Sequence, residues 1–162
     1  MLLNAAMDIP ALLLIARDFR MAIQAIPTDR RPIGLHCFAR GSCGDASLLL
    51  GAYLADSKVG GFAYVCGERG VQADGSWTSH AGLQCGDCVI DITADQFSDA
   101  PAGIVVAEPS IWHRQFQVAK PQPSDFRCWQ GDGAEILAPM YRLILRQIGA
   151  FRVASAVSRG EN

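Results

Sequence analysis

The chain has 162 residues, half of them hydrophobic and 19% charged, with a formal net charge of −2. That length suits one domain over residues 1–162 with a core of its own, and the composition excludes disorder. The 14 lysines and arginines are scattered along the chain. A nucleic-acid partner calls for a basic stripe, so a protein, peptide or small acyl or amide substrate fits better.

The N-terminal run "IPALLLIA" is interrupted by Arg17, Asp18 and Arg20, well short of the roughly 20 apolar residues that cross a bilayer. It also lacks the basic flank of a leader. Leu12, Ile15, Ala16, Phe19, Ile23 and Ile26 recur at intervals of three and four. This spacing predicts an amphipathic helix with no membrane role, capped by Asp8, with Pro10 in its first turn and an end near Pro27. "PTDRRPIG" reads as a loop.

"GSCGDAS" then leads into "LLLGAYL". Ser42 and Asp45 have the spacing of a capping box, and Ala46, Leu49, Leu50, Tyr53 and Leu54 form one apolar stripe. Cys43 therefore falls at the first position of a helix, where unpaired amides and the helix dipole favour a thiolate.

"FAYVCGERG" reads as a strand. "SHAGLQC" and "CVIDITA" flank Gly86-Asp87 and predict a two-residue hairpin that sets Cys85 against Cys88 and Leu83 against Ile90. In that register His80, Gly82, Gln84, Val89, Asp91 and Thr93 share one face. Ala81, Leu83, Cys85, Cys88, Ile90 and Ile92 share the other. Asp91 is then the diagonal neighbour of His80, about 7–8 Å away before the side chains extend. A slip of one residue would separate them and scramble the apolar face.

Further on, "GIVVAE" predicts a strand, "WHRQFQVA" a second one, and "KPQPSDFRCWQGDG" a loop. A last helix is expected to start at Ala138 or Pro139, with Met140, Leu143, Ile144, Gln147 and Ile148 on one side, and "SAVSRGEN" is expected to fray. Helices, antiparallel strands and a closing helix predict an α+β domain with its N-terminal helices packed on the sheet.

Three groups can carry chemistry: Cys43 as nucleophile, His80 as base and then acid, and Asp91 as the group that orients the imidazole. Asp91 can alternatively cap a turn through Thr93. Cys85-x-x-Cys88 is one pair, half of what a structural zinc site needs, and packed thiols or a disulfide are the other readings. His113 can line a groove, and Asp95 and Gln96 can line the site or make turn contacts. The six cysteines are too irregularly spaced for a disulfide framework and read as reduced thiols of a cytoplasmic protein.

Gly41-x-Cys43 at a helix start, "VCG" at 65–67, "SHAGL" at 79–83 and "VIDITADQF" at 89–97 resemble the papain-like superfamily in its transglutaminase-like branch, and also papain-fold bacterial toxin domains. Gly82 and Ile92 depart from it, standing where Trp and Pro are frequent. "ARGSC" is loosely similar to the lead-in of arylamine N-acetyltransferases, which are much longer. The resemblance implies a papain-like fold and a Cys43–His80–Asp91 triad working through a thioester without a cofactor, as a cysteine peptidase, amidase or acyltransferase. A toxin or effector modifying a host protein, and a binding module without activity, are the alternatives. Papain-type enzymes place an oxyanion-binding Gln six residues before the nucleophile. That position is Cys37 here, which leaves His36 or Arg40 as substitutes.

Overall fold

The computed structural model describes residues 7–160. Helix α1 (Ile9–Ala25) begins where the sequence places it: the Asp8 carboxylate accepts from Ala11 N–H at 3.0 Å and Pro10 lies in the first turn. Leu12, Ala16, Phe19 and Ile23 bury its inner stripe. Two short 3-10 turns, Thr28–Arg30 and Ile33–Leu35, carry the chain to helix α2 (Cys43–Asp56). Ser42 holds the cap position of α2, but its hydroxyl donates to Arg40 C=O at 3.3 Å. The expected capping box is therefore absent, because that buried hydroxyl finds a partner within its own turn.

The sheet has six strands: β1 (Ala63–Arg69), β2 (Thr78–Cys85), β3 (Cys88–Asp91), β4 (Val105–Ala107), β5 (Gln117–Val118) and β6 (Gln122–Pro123). Their order is β4-β3-β2-β1-β5, with β6 also pairing β1, and every pairing is antiparallel. The hairpin register is the expected one, with Leu83 opposite Ile90, Gln84 opposite Val89 and Cys85 opposite Cys88. Gly86 at φ 57° provides the left-handed turn residue.

Leu83, Cys88, Ile90 and Ile92 point at α1 and α2 and join Leu49, Leu50 and Phe19 in the main core. The opposite face is covered too. Segment 97–116 folds over it, and Ala94, Val105, Trp112 and Phe116 make a second, smaller core there. Gly67 seats Phe116: a Cβ at that position would lie 2.9 Å from the Phe116 Cβ.

Three expectations change. "WHRQFQVA" is mostly a 3-10 turn (His113–Gln115), with only Gln117–Val118 in the sheet, because Trp112 and Phe116 turn inward to the smaller core. The loop "KPQPSDFRCWQGDG" contributes β6 and a turn at Phe126–Cys128. Helix α3 runs from Gly133 to Gly160, with Pro139 inside it. It starts before that proline because burial of Leu137 offsets the missing N–H, and its last turns continue through the stretch expected to fray.

Arg20 on α1 ties the two ends of the connection between β3 and β4. Its Nη1 donates to Ile92 C=O at 2.8 Å and Gly103 C=O at 3.0 Å, and its Nη2 meets Asp95 Oδ2 at 2.6 Å.

Candidate active site

Cys43, His80 and Asp91 are far apart in the chain and meet at one end of the sheet. Cys43 is the first residue of α2, with its sulfur at the helix end where amides are unpaired. Ala81, in β2 opposite Cys66 of β1, and Gly44 in the first turn of α2 offer their N–H groups to the Cys43 sulfur.

His80 and Asp91 are both buried, and His80 Nε2 lies 2.6 Å from Asp91 Oδ2. A carboxylate only accepts, so Nε2 carries the proton, and the Cys43 thiol is the imidazole's second side-chain partner among the groups that set its charge. Asp91 divides its two oxygens. Oδ1 accepts Thr93 N–H at 2.8 Å and Thr93 Oγ1 at 3.1 Å, while Oδ2 serves the imidazole. Asp91 therefore both caps the turn at Thr93 and hydrogen-bonds the His80 imidazole.

Burial alone would raise the Asp91 carboxyl, but hydrogen bonds from His113 and His80 outweigh it and hold the group well below the usual carboxylate range. Burial opposes the charged form of His80, yet its bonds to Asp91 and Cys43 prevail and lift it to about 9. Burial likewise opposes the Cys43 thiolate, and His80 together with the Ala81 and Gly44 amides brings the thiol below its ordinary value. Thiolate and imidazolium stabilise each other, which is the state a sulfur nucleophile needs.

Two residues complete the surroundings of His80. Gln96 Nε2 lies 3.2 Å from His80 Nδ1 and donates to Thr93 C=O at 3.0 Å, and its Oε1 accepts Gly41 N–H at 3.3 Å. It thus links the turn before Cys43 to His80. His113 Nε2 lies 2.9 Å from Asp91 Oδ2, the oxygen His80 already uses. Phe97, Trp112 and Phe116 ring His80 with centroids 5.0, 5.8 and 5.7 Å away. Arg69 lies over all three rings and pairs with Asp99 through 2.7 and 2.8 Å contacts, closing this wall against water.

On the helix side, Tyr64 approaches the first turn of α2. Its hydroxyl is 3.4 Å from where a Cβ would stand at Gly44, and its ring meets Trp129 edge-on at 5.4 Å. Burial first, then the neighbouring Cys66, Cys43 and Asp45, push the Tyr64 phenol up to about 12. It is a neutral hydroxyl beside the sulfur. Neither Tyr64 nor Trp129 carries a motif signal, because both reach the site through tertiary packing of the 123–129 segment on β1.

The other sequence candidates lie elsewhere. His36 donates to Arg31 C=O at 2.8 Å, outside the site, and Arg40 is exposed. Cys85 and Cys88 are free thiols across the hairpin, and no third donor gathers with them among the described residues. His80, Asp91 and His113 place three donor atoms within 4.8 Å of one another, as a metal site would. However, contacts of 2.6 and 2.9 Å are hydrogen bonds, shorter than the about 3.3 Å between ligands on a tetrahedral ion. Protons satisfy this cluster as it stands.

No helix among the described residues is long and apolar enough to cross a membrane. No family model matches the chain, and searches of curated proteins and of solved structures return no match.

Proposed function

We propose that the protein is a thiol-dependent acyl-transfer enzyme, a cysteine hydrolase or acyltransferase of papain-like, transglutaminase-like architecture. The observation that carries this is the imidazole of His80, held through Nε2 by the buried Asp91 at 2.6 Å and coupled to Cys43 at a helix N-terminus. The Cys43 thiolate attacks an amide or ester carbonyl and forms a thioester. His80 passes its Nδ1 proton to the departing amine or alcohol, and water or an amine acceptor then releases the acyl group with His80 as base.

Gln96 sits beside the imidazole, which neither His36 nor Arg40 reaches, and its amide, bonded to Thr93 C=O and set against His80, steadies the ring. The Tyr64–Trp129 pair offers a peptide or acyl substrate an aromatic surface next to the sulfur. No cofactor enters this scheme. Six free thiols suit a reducing compartment, and we place the reaction in the cytoplasm.

Brief mixing with an activated acyl donor, an acid quench and peptide mapping tests the reading. One acyl group on Cys43, released by hydroxylamine and absent from His80→Gln, is expected. Acylation spread over the six thiols, or none at Cys43, would overturn it, and would leave the same residues as a binding module.

A further inference from the structure

The far side of Asp91 carries a second hydrogen-bonded chain that the thiol chemistry does not use. His113 Nε2 is 2.9 Å from Asp91 Oδ2, and His113 Nδ1 is 2.6 Å from Ser110 Oγ. The carboxylate obliges Nε2 to carry the proton, so Nδ1 is an acceptor and the Ser110 hydroxyl donates to it. Hydroxyl, imidazole and carboxylate thus stand in the order and with the proton direction of an activated serine.

Ser110 and His113 also line a cavity of about 300 Å³ on the outer face of the sheet. Val65, Val89, Phe116 and Val118 form its apolar walls, Gln84, Asp87 and Arg114 add polar groups, and the His80 imidazole also lines it, whereas Cys43 does not. Gly82 keeps its floor open. A Cβ there would meet nothing closer than Ile90 O at 3.4 Å and Asp91 Cβ at 3.8 Å, so a longer side chain would grow into the cavity.

We propose that Ser110 is a second nucleophile, activated by His113 and Asp91, which hydrolyses small uncharged carboxylic esters held against the apolar walls of this cavity. Ser110 Oγ bonds to the ester carbonyl carbon while its proton passes to His113 Nδ1. The carbon–oxygen bond to the alcohol breaks, and the alcohol leaves with that proton. Water then attacks the acyl-serine, gives a proton to His113, and the serine regains it as the acid departs. No other reactant is consumed. The two sites share one carboxylate oxygen and one face of the sheet but use different nucleophiles.

The test uses the full chain carrying Cys43→Ala, which removes the thiol route. Diisopropyl fluorophosphate should add one diisopropylphosphoryl group, mapped to Ser110. The same protein should release p-nitrophenolate from p-nitrophenyl butyrate, with a rate at least about 100-fold lower after Ser110→Ala or His113→Gln. Gly82→Leu should abolish both reactions. Should Ser110→Ala fold poorly, Ser110→Cys serves instead, with iodoacetamide expected to label position 110. No adduct at Ser110, an adduct elsewhere, or ester hydrolysis indifferent to Ser110→Ala overturns the proposal. None of these outcomes bears on Cys43, whose acylation is measured separately.

Discussion

At Cys43 and His80 the consequence of shared stabilisation is a pH profile. The thiol lies below its ordinary value and His80 near 9. As pH rises the thiolate forms first and reactivity appears; the imidazolium proton is lost later, through about 9, and takes the general acid with it. Turnover should therefore be bell-shaped with its alkaline limb near 9. Iodoacetamide should label Cys43 in mildly acidic buffer ahead of the other five thiols, and His80→Gln should move its labelling midpoint toward about 8.5; peptide mapping against pH reads both. Gln96 should behave differently. Its three contacts join Gly41, Thr93 and His80, so Gln96→Leu should lower kcat about tenfold, the worth of roughly one neutral hydrogen bond or a little more. The thermal midpoint should change little, because the side chain is only half-buried.

At the scale of elements, glycines at two helix positions make opposite predictions. A Cβ at Gly51 on α2 would stand 2.1 Å from Ser124 O and 2.7 Å from Ser124 C, backbone that packs directly on the helix. Gly51→Ala should cost roughly 1–3 kcal/mol in denaturant unfolding. Gly149 on α3 has open space, so Gly149→Ala should stabilise by about 0.5–1 kcal/mol. The same contrast shows what periodicity can reveal. The stripe of α1, the placement of Cys43 at a helix start and the face shared by His80 and Asp91 are local or nearly so, set by spacings within one helix or one hairpin, and each is found in the structure. His113 and Gln96 were legible only as residues near a site. Their roles depend on segment 92–116 folding back over the sheet, which no period in the sequence encodes. The proline rule misplaced the start of α3 because Leu137, two residues before Pro139, finds a core position that local propensity does not register.

At the scale of the molecule, two cores on opposite faces of one sheet enclose a buried His–Asp pair, and both depend on the connection from Ile92 to Gly103 keeping its path. Arg20 secures it with charge-assisted bonds to both ends. Arg20→Met should lower stability by roughly 2–3 kcal/mol and open that connection to limited proteolysis; an unchanged cleavage pattern would refute the role. The tie spans 72 residues to Ile92 and 83 to Gly103. During synthesis the helix bearing Arg20 leaves the ribosome long before its acceptors exist, so the nucleophile's helix can form while the carboxylate and amide that tune it are still unmade. On the proposed reading, a nascent chain carries Cys43 at its helix end without its imidazole, and full reactivity waits until late-made residues return to the first helix.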